Sequence, residues 1–131
     1  KYSLPTESEW EYACRAGTTS SYSWGESISS ANANYKNDNN QTTIVGQYPS
    51  NPWGFHDMNG NVWEWTADWY DANYKTSLGS DFIENGVTST KSIRGGGWSD
   101  SYEDVRSASR MGMVPTGRYN VLGFRLCLRT I

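Results

Sequence analysis

The sequence predicts one small α+β domain in which long loops outnumber the regular elements. The chain has 131 residues, which is a usual size for a single domain. One segment near its start has the pattern of a capped helix, and only a few short stretches further on alternate as strands do. The apolar fraction is 36%, yet 15% of the residues are aromatic. We therefore expect a core of large rings whose polar tips need hydrogen-bond partners.

The predicted helix begins after Thr6 and ends before Gly17. Thr6 and Glu9 have the spacing of a capping box, in which each side chain accepts a hydrogen bond from the other residue's backbone N–H. Glycine is a typical residue just past a helix end. Trp10 and Cys14 are four residues apart and lie on one helix face, which we expect to pack inward. Cys14 is thus interpreted as a small buried residue and not as a reactive thiol.

After the helix, the sequence predicts short strands separated by polar loops. Residues 18–40 are rich in Ser, Thr and Asn and indicate a long surface loop, after which residues 44–45 form a candidate short strand. Residues 62–65 alternate Val and Glu with Trp, which is typical of a strand with one aromatic face. Residues 70–90 are again polar, and residues 123–129 alternate Phe or Leu with Arg as a terminal strand. We expect Trp63, Trp65 and Trp69 in the core, with a sugar-stacking platform as the alternative.

Composition excludes several classes of function. The net charge is −3, with 11 basic and 14 acidic residues, which argues against a nucleic-acid-binding stripe. No apolar stretch approaches the ~18 residues of a membrane span. The two cysteines, Cys14 and Cys127, form at most one disulfide and cannot build a CxxC zinc site. The single histidine, His56, excludes three-His zinc sites and two-His iron sites on this chain, and we expect it to be structural.

Four segments, in this order, carry a family resemblance. They are Leu4-Pro5-Thr6-Glu7-Ser8-Glu9-Trp10-Glu11-Tyr12, Gly60-Asn61-Val62-Trp63-Glu64-Trp65, Arg94-Gly95-Gly96-Gly97-Trp98 and Gly123-Phe124-Arg125. Together they resemble the formylglycine-generating enzyme domain, also called the sulfatase-modifying factor domain, from residue 4 to about residue 128. The resemblance implies a C-type lectin-like α+β fold with short helices, small twisted antiparallel sheets and long loops. It also implies that residues 1–131 form the C-terminal portion of a longer protein.

The resemblance implies an oxidoreductase, but the residues that such an enzyme needs are missing. The enzymes of this family oxidise a cysteine of a client sulfatase to formylglycine, with oxygen and a copper ion bound by two cysteines. Those cysteines lie in the interval that corresponds to residues 99–110, which here contains none. Copper(I) needs soft thiolate ligands, so we expect no copper and no formylglycine chemistry. The family position that can pair with Cys14 in a disulfide corresponds to Ser107.

The late part of the chain also resembles the C-type-lectin-fold variable proteins of bacterial and phage diversity-generating retroelements. The shared frame is Arg94-Gly95-Gly96-Gly97-Trp98 before a variable stretch and Gly123-Phe124-Arg125-Leu126 after it. In those systems, randomised adenines turn asparagine codons into codons for Ser, Asp, Tyr, Gly or Val, which are frequent here between residues 99 and 121. The predicted function is a non-catalytic, diversified binding domain. The alternatives are a formylglycine-generating oxidoreductase and its non-catalytic regulatory paralogue.

The candidate binding residues lie between 98 and 121, although an ordinary solvated loop is the alternative for this interval. Tyr102 and Tyr119 are expected to act as rigid aromatic anchors, and Met111 and Met113 as adaptable apolar contacts. The expected partner is a protein or a glycan, and display at the cell surface or outside the cell suits such a role. The predicted set is Trp98, Ser99, Asp100, Ser101, Tyr102, Asp104, Ser109, Met111, Met113, Thr116, Tyr119, Asn120 and Val121.

A calcium site is predicted at the turn that precedes the aromatic strand. Asp57 and Glu64 supply carboxylates, and Gly60 and Val62 can supply backbone carbonyls, which together are the oxygen donors that Ca²⁺ prefers. The family resemblance supports the same four positions. The alternative is a turn in which Asn and Asp side chains bond only to the local backbone. We expect a structural Ca²⁺ here.

Overall fold

The computed structural model describes residues 1–73 and 89–130. None of the helices within these ranges is long and apolar enough to cross a membrane. The predicted polar loop at 70–90 lies mostly outside the described residues. The elements that the structure describes are β1 (Tyr2–Ser3), α1 (Glu7–Arg15), β2 (Trp63–Trp69), β3 (Lys91–Arg94), β4 (Arg110–Met113), β5 (Leu122–Gly123) and β6 (Cys127–Leu128).

The six described strands form two sheets. The larger has four strands in the order β4-β3-β2-β5, with β3 antiparallel to both β2 and β4, and β5 parallel to β2. The smaller sheet pairs β1 with β6 in an antiparallel register that sets Tyr2 opposite Leu128. The two ends of the described chain therefore meet in the smaller sheet.

Helix α1 confirms the predicted capping box. The Thr6 hydroxyl accepts from the backbone N–H of Glu9 at 3.2 Å, and the Glu9 carboxylate accepts from the backbone N–H of Thr6 at 2.8 Å. The helix ends at Arg15, and its C-cap residue Ala16 takes the left-handed conformation with φ of 48°, one residue before Gly17. The predicted inward face is also confirmed, since Trp10 and Cys14 are both buried.

Among the described residues, two small clusters of buried side chains contribute to the core, and Trp63 and Ile93 are buried outside them. One cluster contains Tyr22, Ala33, Tyr35 and Val105, and the other contains Trp10, Cys14 and Met58. The large rings use their polar tips as expected, because the indole N–H of Trp10 donates to Glu64 and that of Trp63 donates to Asp100, each at 2.7 Å. Trp63 is buried, as expected for a core residue, whereas Trp65 and Trp69 are only half-buried.

A group of charged side chains, two of them buried and two half-buried, joins the helix to the larger sheet and is here called the α1–β3 seam. It consists of Glu7, Glu11, Arg94 and Arg110. Arg94 on β3 has no exposed surface and donates to Glu7 at 3.1 Å, to Glu11, and to the carbonyl of Ser107 at 2.9 Å. Arg110 donates to Glu7 at 3.0 Å from its Nη2. Burying these charges is tolerable only because each one has an opposite charge beside it.

Two sequence predictions about strands were wrong. Residues 44–45 are not a strand: Ile44 and Val45 are 81% and 79% exposed. The flanking N–H groups of Thr43 and Gly46 donate to the side chains of Asn61 and Asp57, so no strand ladder forms there. The predicted terminal strand at 123–129 is interrupted and gives parts of β5 and β6.

Candidate functional site

The candidate site begins where β3 ends in three glycines. Gly95 and Gly96 have φ of +101° and +73°, a backbone conformation that side chains with a Cβ rarely adopt. A Cβ added to Gly96 would lie 2.6 Å from Cγ1 of Val105. A Cβ added to Gly97 would lie 2.9 Å from Cβ of Val121. The glycines therefore let the segment after β3 approach the segment before β5 closely.

These two segments contact each other and form one surface, here called the late-loop surface and defined as residues 98–102 and 116–121. The indole N–H of Trp98 donates to the carbonyl of Asn120 at 3.0 Å. The carbonyl of Val121 accepts from the backbone N–H of Trp63 at 2.7 Å, which ties the second segment to β2. Two stretches about twenty residues apart in sequence are thereby held side by side on the larger sheet.

A third segment, which the sequence analysis did not connect to the site, holds the first loop through backbone hydrogen bonds. The backbone N–H of Lys36 donates to the carbonyl of Asp100 at 2.8 Å, and that of Asn37 donates to the carbonyl of Trp98 at 2.9 Å. Lys36 and Asn37 both have positive φ, which aims successive N–H groups at the late-loop surface. A sequence signal was present, since asparagine is one of the residues that tolerate this conformation.

The predicted binding residues divide by exposure. Tyr102 and Tyr119 are 59% and 56% exposed. Met113 contacts the second loop, because its side chain lies 3.1 Å from a Cβ built on Gly117. The exposed members are Ser99, Ser101, Tyr102, Met111, Thr116, Tyr119 and Asn120, the half-buried members are Trp98, Asp100, Asp104, Met113 and Val121, and the buried member is Ser109.

Two predicted binding residues have a supporting role in the fold. One carboxylate oxygen of Asp100 accepts from the indole N–H of Trp63 and from the backbone N–H of Gly97, both at 2.7 Å. The Ser109 hydroxyl donates to the carbonyl of Glu103 at 2.6 Å and is only 9% exposed. Asp100 and Ser109 thus hold the loops in position, and the exposed residues are the ones that a ligand can reach.

Tyr102 lies in a different environment from Trp98. Its carbonyl accepts a hydrogen bond from the hydroxyl of Tyr22, a core residue that stacks on Trp24 with ring centroids 5.2 Å apart. Burial raises the pKa of Tyr22, so this hydroxyl keeps its proton over a wide pH range. The main chain at Tyr102 is therefore fixed to the core, while its own ring extends into solvent.

The two cysteines lie in different surroundings, and both are free thiols. Cys14 is fully buried, and its Sγ lies 3.4 Å from the hydroxyl of Ser107, the position that the family resemblance implies for a disulfide partner. Burial raises the pKa of Cys14 to about 11, which keeps the thiol protonated and unreactive near neutral pH. Cys127 is half-buried in β6 and lies 3.4 Å from the carbonyl of Ser3.

At the predicted calcium turn, Arg125 already provides a positive charge. It donates to both carboxylate oxygens of Glu64, from Nε at 2.6 Å and from Nη2 at 2.7 Å. The same Nη2 donates to the carbonyls of His56 and Asp57 at 2.9 and 3.3 Å. Burial lowers the pKa of Arg125, but the hydrogen bond and charge of Glu64 raise it, and the net shift is upward.

Three of the four predicted calcium ligands line one cavity at this turn. Asp57, Val62 and Glu64 line a cavity of about 440 Å³, whereas Gly60 is buried and its carbonyl accepts from the backbone N–H of Val62 at 3.0 Å. Among the described residues, no three His, Cys, Asp or Glu side chains converge as a metal site. A Ca²⁺ ion here would therefore rely on the carbonyls of Gly60 and Val62 as well as the two carboxylates. The donor types fit the ion, and the predicted site stays a prediction.

Comparison with known proteins decides the family. Residues 1–130 match the model of the sulfatase-modifying factor enzyme 1-like domain. The chain belongs to this family. It is 33% identical to mouse formylglycine-generating enzyme over 93% of the chain and 38% of that protein. It is 31% identical to the bovine inactive C-alpha-formylglycine-generating enzyme 2, covering 93% of the chain and 42% of that protein.

Solved structures confirm the predicted fold. The chain superposes on PvdO from Pseudomonas aeruginosa with a TM-score of 0.84 and 32% identity, covering 95% of this chain and 51% of that one. It superposes on Treponema denticola variable protein 1 with a TM-score of 0.82 and 32% identity, covering 95% and 46%. The formylglycine-generating, C-type lectin-like fold and the resemblance to variable proteins are both confirmed. The chain spans about half the length of these structures.

Proposed function

We propose that this domain binds a protein or glycan ligand through the late-loop surface and does not catalyse formylglycine formation. The observation that carries the proposal is the contact between the two late loops, which brings predicted binding residues from both onto one surface. The structural similarity to a variable protein supports the same function. A retroelement-diversified display protein is the specific form of this proposal.

The way in which the loops are held suits a surface whose side chains can change. The main-chain carbonyls of Trp98, Asp100, Tyr102 and Val121 accept the hydrogen bonds that fix the loops to the rest of the domain. Every residue type has such a carbonyl, so these contacts survive substitution of the side chain. The exposed side chains are therefore available for recognition at little cost to the fold, as in paratopes built on a rigid scaffold.

The exposed surface offers both apolar and polar contacts. Tyr119 is 56% exposed, and Met111 and Val114, which lie outside the late-loop surface in β4 and directly after it, are 38% and 44% exposed. Ser99 and Thr116 add exposed hydroxyls on the two loops. Large rings with few rotatable bonds lose little entropy when they become ordered in a complex, and short hydroxyl side chains adapt to varied partners.

The oxidoreductase function is the alternative, and family membership does not exclude it. The chain is about equally identical to a formylglycine-generating enzyme, at 33%, and to a protein named as inactive, at 31%. What favours binding is the composition of residues 99–110, which include no cysteine to bind copper. The same fold can support different functions, so the choice between binding and catalysis rests on the residues of the site.

The proposal is tested first by binding. Arrays of glycans and of purified surface proteins are probed with the wild type, with Tyr119→Ala and with Tyr12→Ala, a matched control whose ring is 69% exposed on α1. We expect retained ligands to lose at least ten-fold in affinity with Tyr119→Ala and to be unaffected by Tyr12→Ala. Equal binding by all three proteins would contradict the assignment of the late-loop surface.

Diversification is tested by sequencing the genomic DNA downstream of the gene. A near-copy of the stretch that encodes residues 94–126, differing at adenines and followed by a reverse transcriptase gene, is the expected result. A locus without such a copy would leave a fixed binding domain and would overturn the retroelement origin.

The enzymatic alternative has its own assay. The protein is incubated with copper, oxygen and a sulfatase-derived peptide that contains the client cysteine, with mouse formylglycine-generating enzyme as the positive control. We expect no aldehyde by mass spectrometry. Aldehyde formation above the copper-only background would establish the oxidoreductase function.

A further inference from the structure

The second loop of the late-loop surface carries an exposed arginine, Arg118, that is not among the predicted binding residues. Its side chain forms no hydrogen bond or ion pair with any residue in the ranges 1–73 and 89–130. Each of the other six arginines donates to a carboxylate or to a backbone carbonyl. The guanidinium of Arg118 therefore serves no described contact within the domain and is available to a ligand.

The backbone on both sides of Arg118 is fixed. The N–H of Gly117 donates to the carbonyl of Val114 at 2.8 Å, which closes a turn before the arginine. The carbonyl of Asn120 accepts from the indole N–H of Trp98 at 3.0 Å, which attaches the residues after it to the first loop. The loop thus presents Arg118 to solvent beside the contact between the two loops.

The ring of Tyr119 is packed next to this arginine and still reaches solvent. A Cβ built on Gly117 would lie 3.1 Å from Cε2 of Tyr119 and 3.1 Å from Sδ of Met113, so the ring and the methionine meet over the glycine. Tyr119 is nevertheless 56% exposed. A ring that is already packed on one side loses little entropy when a ligand covers the other side.

The charge that the late-loop surface presents to a ligand is positive. Residues 98–102 and 116–121 contain two charged side chains, Asp100 and Arg118. Asp100 faces inward, where one of its carboxylate oxygens accepts from Trp63 and from the N–H of Gly97. The guanidinium of Arg118 is therefore the outward charge of this surface.

The acidic side chains that follow the first loop already have hydrogen-bond donors. The Tyr102 hydroxyl donates to Glu103 at 3.3 Å, and the Ser101 hydroxyl donates to Asp104 at 2.9 Å. Both acids follow the Tyr102 end of the loop, whereas the second loop contacts Trp98 at the other end. Neither acid forms an ion pair with the arginine of the second loop, so its charge is not neutralised from within the site.

Building on the proposed binding function, we propose that the ligand of the late-loop surface is an acidic glycan. Arg118 binds its carboxylate or sulfate group, and a sugar ring stacks on Tyr119. A planar guanidinium can donate two parallel N–H bonds to either anionic group, which is a stronger and more specific contact than a neutral hydrogen bond. The exposed hydroxyls of Ser99 and Thr116 and the amide of Asn120 supply donors and acceptors for sugar hydroxyls.

A glycan fits the exposed groups of this surface better than a protein does. Apart from the two tyrosines, the exposed side chains are polar: Ser99, Ser101, Thr116, Arg118 and Asn120. A protein interface usually has an apolar core surrounded by a polar rim. Two rings among hydroxyl, amide and guanidinium groups instead match a ligand that has apolar ring faces and many hydroxyls.

The test uses an array that presents acidic glycans beside neutral counterparts. The pairs are sialylated and desialylated glycans, uronate oligosaccharides and their carboxyl-reduced forms, and sulfated and unsulfated glycans. We expect the protein to retain at least one acidic glycan and to bind its neutral counterpart about ten-fold more weakly. The pair that responds shows whether the anionic group is a carboxylate or a sulfate. Retention of neutral glycans alone, or of no acidic glycan, would overturn the proposal.

Variants then assign the recognition to one arginine. Arg118→Gln is expected to weaken binding of the retained acidic glycan about ten-fold, and Arg118→Lys, which keeps the charge but loses the planar fork, by a smaller factor. Arg106→Gln is the matched control, because Arg106 is also exposed but donates from Nε to the carbonyl of Glu103. Arg118→Gln removes no described contact, so it should shift the melting temperature by less than about 2 °C.

The outcomes separate this proposal from the binding function on which it rests. Equal losses of affinity from Arg118→Gln and Arg106→Gln would show a non-specific effect of net charge and would overturn the acidic glycan. So would a ligand that Tyr119→Ala weakens and Arg118→Gln does not, which would leave the late-loop surface as a binding site for another ligand. Retention of acidic proteins without any acidic glycan would assign the surface to a protein instead. If neither Tyr119→Ala nor Arg118→Gln weakens a retained ligand, the late-loop binding function itself fails.

Discussion

The α1–β3 seam and the late-loop surface are both rich in polar residues, but they use them in different ways. In the seam, charged side chains contact other charged side chains: Arg94 reaches Glu7 and Glu11, and Arg110 reaches Glu7 from β4. Each of these contacts needs a particular side chain. The seam residue Arg94 is fully buried, so solvent cannot replace a missing partner.

In the late-loop surface, the backbone makes most of the contacts that position the chain. The N–H groups of Lys36 and Asn37 donate to main-chain carbonyls of the first loop, and the carbonyl of Val121 accepts from Trp63. Such contacts do not depend on which side chain is present. The difference indicates where the domain tolerates substitution. The seam specifies its residues, whereas the loops specify mainly their path and a few anchoring side chains such as Asp100 and Trp98.

The largest expected effect comes from breaking the seam. Arg94→Met leaves Glu7 buried with one opposite charge fewer, and we expect a loss of about 3–5 kcal/mol in the free energy of unfolding. Urea denaturation measures this loss. Arg15→Met, which removes a partly exposed ion pair with Glu11, is the control and should cost less than about 1 kcal/mol. Comparable losses for the two variants would show that the ion pairs of the seam contribute no more to the free energy of unfolding than a partly exposed ion pair does.

The second largest effect separates what the backbone path of the loops contributes to stability from what their side chains contribute. Gly96→Ala and Gly54→Ala both place a Cβ at positive φ, but only at Gly96 does the Cβ meet a neighbour, at 2.6 Å. Overpacking costs about 1–3 kcal/mol beyond the conformational strain that both variants share. We expect Gly96→Ala to be the less stable by this amount in urea denaturation. Equal stability would mean that the close approach to Val105 is unimportant.

The next prediction concerns the predicted calcium turn, which contains Asp57, Gly60, Val62 and Glu64. If Ca²⁺ binds Asp57, Gly60, Val62 and Glu64, EDTA should lower the melting temperature by several degrees and added Ca²⁺ should restore it, because an ion that binds only the folded state stabilises it. Asp57→Asn should weaken this response, whereas Asp38→Asn, at an exposed ion pair, should not. An unchanged melting temperature would show that no Ca²⁺ binds at this turn and that Arg125 and the indole N–H of Trp10 satisfy Glu64.

The smallest effect on stability is expected at the tips of the loops. Changing both Tyr102 and Tyr119 to Ala removes rings that are 59% and 56% exposed, so the free energy of unfolding should change by less than about 1 kcal/mol. Binding to any ligand recovered from the arrays should nevertheless fall. If circular dichroism shows that the double variant loses its folded state, these residues belong to the core. The contrast with the seam would then disappear.

Part of the fold was predictable because its signals are local. The capping box of α1 involves residues three apart, and the spacing of Trp10 and Cys14 identified the buried helix face. Local alternation also predicted β2, but it failed at Ile44 and Val45, whose apolar side chains have no partner strand and remain exposed. Strand formation depends on a neighbour that alternation alone cannot supply.

The candidate site was predictable as an interval but not as a surface. The frame around residues 99–121 identified the two loops, yet their contact through Gly97 and Val121 is a property of the folded chain. The exposure of individual side chains also depended on tertiary contacts. Asp100 and Tyr102 look equally suited to binding in sequence, but Asp100 faces inward to accept from Trp63.

The sequence by itself determined the family, the capped helix and the lack of cysteines between residues 99 and 110, because these depend on residue identity and short spacing. Only the tertiary structure decided which late-loop side chains reach solvent and which face of the terminal stretch is apolar. There, Arg125 pairs with Glu64 on β2 and Arg129 pairs with the partly exposed Glu9 on α1, while Leu126 and Leu128, which alternate with them, face solvent. The alternation is local, but which side faces the domain depends on partners that are distant in sequence.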